Sequence, residues 1–358
     1  MPFMMESKHR GDAYYDEQFA AIMNQRKIGY VSQGLIVDQY GDAMGQEALV
    51  KNAADQFGVK WWADIDTRAI QVRENDKGRE LLTDLMKLAK PVHIGHTFAT
   101  YARAGDIDDE VKISMNGNTP IVYDHVDTDS EGDPVPIFQT GFGINWRKWE
   151  GMRQANLNTV ADSQALKLKD MFEAMVDYCL DGDAKIKEKG FKGQGIRNHR
   201  NTKKIDLTLA AINLADPTAN NDDLLNFWNY NFAIQLDANY VNGKIDVVWV
   251  SPEIRRVMTR PFSASSGFKG GTLEQAILNF ARIGEFQTTY KLSGNEFIAY
   301  NRDRDSIQPL VGQAVGTVPV ERRAPKDNFN FEIWGAMGLQ IKADANGRGS
   351  VFYAANLT

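Results

Sequence analysis

The clearest periodicity in the chain lies at residues 159–181, where Ala161, Ala165, Leu168, Phe172, Met175 and Cys179 recur at spacings of four, three, four, three and four. This spacing lines the six side chains up along one stripe of a helix, with Lys167, Asp170, Glu173 and Asp177 elsewhere on the wheel. Asn158 or Thr159 can cap its start, and Gly182 follows its end. At ~1.5 Å per residue the helix predicted over Thr159–Asp181 runs about 34 Å, enough to traverse a domain.

Other elements follow from weaker patterns. Leu81, Leu82, Leu85 and Leu88 predict a helix over Gly78–Ala89, stopped by Pro91. Before it, a short helix at Gln46–Phe57 and an imperfectly alternating strand at Ala63–Arg73 are expected. The first 45 or so residues mix aromatic and aliphatic positions without a sustained period, as in a segment that packs on something else.

From His93 to Trp146 the chain reads as extended hairpin arms. The turn formers Asn116-Gly117-Asn118 and Glu131-Gly132-Asp133-Pro134 punctuate it. A second helix is predicted over Asp222–Tyr240, carrying Leu225, Trp228, Phe232 and Leu236. Then come a strand at Ile245–Val250, a helix opened by Ser251-Pro252 and reaching Met258, and a helix over Thr272–Ala281. A hairpin Phe286–Leu292/Phe297–Tyr300 across Ser293-Gly294-Asn295, and a strand pair between Phe329 and Tyr353 turned at Asn346-Gly347, complete an α+β chain. It shows no internal repeat and no low-complexity tract.

Composition changes this picture little. The 358 residues are long for one minimal domain, and 43% hydrophobic with 25% charged residues is the balance of a globular chain. One cysteine cannot close an intrachain disulfide, which suits a reducing compartment. No run of about 18 apolar residues occurs, and the opening MPFMMESKHR lacks a signal-peptide core, so a soluble, unexported chain without membrane contact is expected.

Charge adds more. The net charge is −6, yet residues 106–133 hold nine acids (Asp106, Asp108, Asp109, Glu110, Asp124, Asp127, Asp129, Glu131, Asp133) against Lys112 alone. Residues 185–204 reverse this, with Lys185, Lys187, Lys189, Lys192, Arg197, Arg200, Lys203 and Lys204 against Glu188. Blocks of opposite sign suit copies of one chain meeting head to tail, where complementary potentials fix register. Two solvated loops are the plainer reading, and the basic block, as an exposed loop, could also touch nucleic acid phosphates.

Candidate chemistry is sparse. His9, His93, His96, His125 and His199 form no metal-binding motif, and His93 and His96 would face opposite ways in a strand. No G-x-S-x-G or phosphate-loop spacing occurs, and the clusters Gly190–Gly195 and Gly267–Thr272 read as loops. Asp127-Thr128-Asp129-Ser130-Glu131-Gly132 begins like a calcium loop, but its twelfth position is Phe138 instead of Glu, so an acidic hairpin tip is the better account. The reading therefore names no catalytic, cofactor-binding or metal residue and expects no enzyme.

The order of elements and two segments carry a resemblance. PVPIFQTGFGINWRKWEGMRQANLNTVADSQALKLKDMFEAMVDYCLDGD (Pro134–Asp183) and GIRNHRNTKKIDL (Gly195–Leu207) resemble, in the major capsid proteins of tailed bacteriophages and the related encapsulins, the passage into the spine helix and the segment after it. That resemblance implies a Hong Kong 97-like fold, with residues 1–46 as N-terminal arm and 47–216 plus 309–358 as peripheral domain. The peripheral domain would include an extended loop at about 98–138 and the spine helix 159–181, and residues 217–308 would form the axial domain. It implies a structural shell protein of the virion, assembled in the bacterial host cytoplasm around double-stranded DNA. The implied partners are further copies in hexamers and pentamers, a separate scaffolding protein, a portal, optionally a decoration protein, and packaged DNA through non-specific contacts. An encapsulin-like nanocompartment shell carrying protein cargo, and more remotely an enzyme using scattered carboxylates, stay as alternatives.

Overall fold

The computed structural model describes residues 77–105, 115, 128–154, 159–263 and 269–357, all within the unit Val72–Thr358. The expected N-terminal arm, the helix Gln46–Phe57, the strand Ala63–Arg73 and the Asn116–Asn118 turn lie outside these residues. Helix α1 (Arg79–Met86) leads through the short β1 (Lys90–Pro91) into β2 (Phe98–Ala104), β3 (Thr128–Pro134) and β4 (Ile137–Ile144). Helices α2 (Trp146–Gln154) and α3 (Thr159–Asp181) follow, then β5 (Gly182–Glu188), β6 (Phe191–Gln194) and β7 (Lys203–Asp206).

Helices α4 (Asn221–Asn226) and α5 (Phe232–Ala238) flank a π turn at Phe227–Asn231. The chain ends through β8 (Ile245–Val250), α6 (Pro252–Met258), β9 (Pro261–Ser263), β10 (Lys269–Thr272), α7 (Leu273–Phe280), β11 (Ile283–Thr288), β12 (Phe297–Tyr300), β13 (Ile307–Pro319), β14 (Phe329–Ile341) and β15 (Val351–Ala355).

The central sheet has the order β11-β8-β12-β15-β7, with β8 parallel to β11 and antiparallel to β12. Its strands are covered on both sides, which is why IDVVWV, FIAY and VFYAA read as nearly unbroken apolar runs. Val248, Val250, Phe297, Ala299, Phe352 and Ala354 face helices α4 to α7. Phe297 lies 4.8 Å from the Trp228 ring and 5.9 Å from Phe232, between centroids. Val247, Trp249, Ile298, Tyr300, Val351 and Tyr353 face the other way, onto α1, the C-terminal half of α3, and β14.

The local helix signals hold. Ser251 accepts from the Ile254 N–H as N-cap of α6, and Thr272 with Gln275 closes a capping box on α7. The long helix spans Thr159–Asp181 as its periodicity predicts, but only its second half is core. From Val160 to Asp170 no side chain is fully buried, and Ala161 and Ala165 of the predicted stripe are exposed.

Several expectations are corrected. Phe297–Tyr300 does not pair with the strand before it, because β8 inserts between β11 and β12. β8, buried at five of its six positions, thereby has a strand on each edge and packed side chains on both faces. Residues 329–341 and 351–355 are likewise not a pair: β15, buried at all five positions, joins the central sheet, while β14 pairs with β13 and β4. The hydrophobic pattern does not predict β13, because Pro309, Gly312 and Gly316 interrupt it. Its register also shifts between Val311 and Gln313, and again between Gln313 and Gly316.

Glu131-Gly132-Asp133-Pro134 is strand instead of turn, paired with Phe98–Tyr101 of β2. The basic block is no exposed loop: it forms the β5–β6 hairpin and a turn whose Ile196, His199, Asn201 and Thr202 are buried. The second sheet has the order β1-β13-β14-β4 among the described strands.

Candidate assembly surface

The β2–β3 ribbon is the described part of the expected extended loop, and its root is fixed by charge. Glu131 accepts from the Tyr101 hydroxyl at 2.5 Å, from Asn201 Nδ2 at 2.9 Å and from Arg200 Nε at 2.8 Å. Burial works against its ionisation, but the hydrogen bonds from Asn201, Tyr101 and Arg200 outweigh it and hold the carboxyl at about 2, below its ordinary 4.5.

Asp133, 1% exposed, meets Arg200 Nη2 at 3.0 Å and His199 Nε2 at 3.1 Å. The His199 Nδ1 accepts from the Asn201 N–H, so its ring proton sits on Nε2 and is donated to Asp133. The acidic ribbon, expected to be solvated or paired with basic partners, is thus paired with Arg103, Arg200 and His199. What carries this role is the 199–201 turn, whose His, Arg and Asn no local periodicity distinguishes.

The same segment closes the spine helix. Ile196 N–H and Arg197 N–H donate to the carbonyls of Cys179 and Leu180, and Asn198 Nδ2 donates to that of Asp181. These are last-turn carbonyls that a helix leaves without internal partners. Gly182, at φ +68, turns the chain away, and Gly195 passes so close to Leu180 and Asp181 that a Cβ would overlap their backbone. Arg197 then bridges Asp181 and Glu296, with Nη1 at 2.9 Å and Nε at 2.7 Å respectively, and those carboxylates keep its guanidinium firmly charged despite burial. The 195–201 turn thus joins the spine to the central sheet through Arg197 and holds the ribbon root through Arg200.

The outer surface carries exposed apolar side chains. Leu209 is 86% exposed and Tyr230 67%, with Ile137, Leu166 and Ile234 also exposed. A contiguous apolar surface is a docking feature, whereas isolated exposed residues are ordinary. Tyr230 and Ile234 stand four apart across the π turn and α5.

The motifs weighed for chemistry fall elsewhere. His93 and His96 lie in a turn instead of a strand, their rings 5.8 Å apart and exposed, with His93 Nδ1 accepting from Gly95 N–H. Cys179 is fully buried, and burial pushes its thiol up to about 12. The described part of the calcium-like stretch, Thr128–Gly132, is paired strand, with Asp129 bonded to Arg103 at 2.8 Å. Among the described residues no group of three or more His, Cys, Asp or Glu is placed to hold a metal ion. No described helix is long and apolar enough to cross a membrane.

A cleft of about 670 Å³ between β2 and residues 239–243 and 342–350 is polar, and its cations are engaged. Lys342 donates to the Arg304 carbonyl, Arg348 stacks on Tyr240, and Arg103 binds Asp129.

Comparison with known proteins places this geometry. No curated protein matches the sequence. Among solved structures, the capsid of Myoviridae phage XM1 superposes with a TM-score of 0.56 at 14% identity, over 83% of this chain and 98% of that one. The mature capsid of bacteriophage PhiM1 gives 0.52 at 9% identity, over 90% and 96%, and a chain of Mycobacterium phage Bobi gives 0.52 at 10%, over 84% and 97%. The α+β fold is accordingly Hong Kong 97-like, as the resemblance implies. Residues 52–354 match a family model described as of unknown function, DUF6260, so the chain belongs to that family and gives it a phage-capsid fold.

Proposed function

We propose that the protein is a structural shell subunit, the major capsid protein of a tailed phage, and that it acts by assembly instead of catalysis. One observation carries this reading: the chain accounts for 98% of a phage XM1 capsid chain, end to end, with its own elements in the same fold. A fold alone does not assign a function. Support comes from the surface, since a spine helix with no fully buried side chain from Val160 to Asp170 and exposed Leu209 and Tyr230 are features that a neighbouring copy would cover.

In this reading residues 1–46 form an arm, the ribbon at about 98–138 an extended loop, and 47–216 with 309–358 the peripheral domain. Residues 217–308 form the axial domain, to whose sheet β7 and β15 contribute. Hexamers and pentamers of one sequence close the shell in the host cytoplasm and become part of the virion. A separate scaffolding protein, a portal and packaged DNA are the partners such a shell requires, with a decoration protein as an addition.

Negative-stain electron microscopy and size-exclusion chromatography, on the chain expressed alone and with its genomic neighbours, test this. Closed shells or capsomer rings are expected, with nuclease-protected DNA inside virions. A monomer or dimer under all of these conditions overturns the proposal, and shells filled with protein cargo would redirect it to a nanocompartment.

A further inference from the structure

The sequence holds three Asn-Gly pairs, Asn116-Gly117, Asn242-Gly243 and Asn346-Gly347, and the first lies outside the described residues. Asparagine before glycine is chemically vulnerable, because a glycine nitrogen with no Cβ beside it can swing onto the asparagine amide carbon. The fold treats the other two pairs differently. Asn242 and Asn346 are both exposed, so exposure alone does not separate them.

Asn346-Gly347 is held in a closed turn. The Gly347 N–H donates to the Asp344 carbonyl at 3.0 Å, and the Gly347 carbonyl accepts from Lys203 Nζ. Gly347 stands at φ +73, and the next N–H, that of Arg348, donates to Asp344 Oδ1 at 2.6 Å. Its nitrogen reaches the Asn346 side chain only after this turn opens.

Asn242-Gly243 is open. It lies in the loop between α5 and β8, on the wall of the polar cleft opposite β2, and both residues are exposed. Among the described residues neither the Asn242 side-chain amide nor the Gly243 N–H has a hydrogen-bond partner. Nothing lies within 4 Å of where a Gly243 Cβ would stand. The loop is gripped on either side instead: Arg282 Nη2 donates to the Val241 carbonyl, and Arg282 Nε and Nη2 donate to the Gly243 carbonyl at 3.1 and 3.0 Å. The peptide unit joining Asn242 to Gly243 takes no part in that grip.

We propose that Asn242 is a site of spontaneous deamidation in the folded chain, with the Gly243 nitrogen as nucleophile and solvent water as the co-reactant. The Gly243 nitrogen gives its proton to solvent and attacks Asn242 Cγ. A C–N bond closes a succinimide ring, and the side-chain nitrogen takes up a proton and leaves as ammonia. Water then opens the ring. Breaking the new Cγ–N bond gives aspartate, and breaking the original peptide C–N bond gives isoaspartate, whose main chain runs through Cβ and Cγ. Either product places a carboxylate on the cleft wall. The isoaspartyl form also lengthens the main chain between the two carbonyls that Arg282 holds, which loosens its grip on the loop. This inference goes beyond the shell reading and does not depend on it.

The test incubates folded full-length protein, in the assembly state in which it is isolated, at neutral pH in heavy-oxygen water. Peptides holding residues 242 and 346 are followed by mass spectrometry, with electron-transfer fragmentation to separate aspartate from isoaspartate. Asn242 is expected to exchange its amide nitrogen for heavy oxygen roughly tenfold faster than Asn346, the factor expected when one or two hydrogen bonds must break first at Gly347. Gly243→Ala, whose Cβ has open space, should slow Asn242 by a similar factor. Asp344→Ala removes the side-chain acceptor of the Arg348 N–H and should speed Asn346 while Asn242 keeps its rate. Hydrogen exchange in residues 241–245 should rise with the isoaspartyl fraction. Equal rates at the two sites in the folded chain, or conversion of Asn242 only after unfolding in urea, would overturn the proposal.

Discussion

The central sheet and the β2–β3 ribbon are both β structure, but different forces hold them. In the sheet, Phe297, Ile298, Ala299 and Tyr300 are all fully buried, and neighbours on both faces supply the stability. In the ribbon, the FATYARA strand has no fully buried residue, and it is anchored by Glu131, Asp133, Arg200, His199 and Asn201 at one end. Apolar burial responds weakly to pH and salt, whereas an ionic anchor depends on both. The contrast suits a subunit that needs a rigid body and an arm that can be set at its root.

The largest blow to the first region is Phe297→Ala, which removes the ring between Trp228 and Phe232. A loss of about 3–5 kcal/mol is expected, read from the urea midpoint. Gly195→Ala attacks the junction of the two regions by forcing a Cβ onto the Leu180 and Asp181 backbone. About 2–3 kcal/mol is expected, with faster hydrogen exchange at the C-terminal turn of the spine. Unchanged stability for either variant would contradict the packing described.

Arg200→Met should separate the regions. Glu131 and Asp133 lose their shared cation, at a cost of about 1–3 kcal/mol that appears as faster exchange in residues 98–104 and 128–134. Protection in β8 and β12 should not change, and a uniform loss across both would show that the ribbon is not a separate unit. Acid sharpens the same point. Because the Glu131 carboxyl is held at about 2 in the folded chain, against an ordinary 4.5, its contribution is complete above 4.5 and is lost as pH falls toward 2. Ribbon protection should decline across that window, and Glu131→Gln should flatten the decline.

The smallest expected effect on the subunit is Leu209→Ser. This exposed position should shift stability by less than about 0.5 kcal/mol, while light scattering should show slower shell assembly if a neighbour covers it.

Elements with a local cause were legible. The spine from Thr159 to Asp181, the strand Ile245–Val250 and the helices opened by Ser251 and Thr272 match their signals, because periodicity and caps act within a few residues. The arm root was not legible. His199, Arg200 and Asn201 read as part of a basic loop, and their partners Glu131 and Asp133 stand about seventy residues away. The charge blocks were visible, but the pattern could not separate the cations spent inside the subunit, such as Arg197 and Arg200, from the hairpin lysines left outside it.

By itself, then, the sequence determined the α+β class, most helices, the apolar strands and two blocks of opposite charge, since all of these are properties of neighbouring residues. Only the tertiary structure decided that β8 separates β11 from β12, that β15 leaves β14 for the central sheet, and that the first half of the spine has no fully buried side chain. Those outcomes depend on which apolar faces compete for the same core, and burial is shared among residues far apart in the chain.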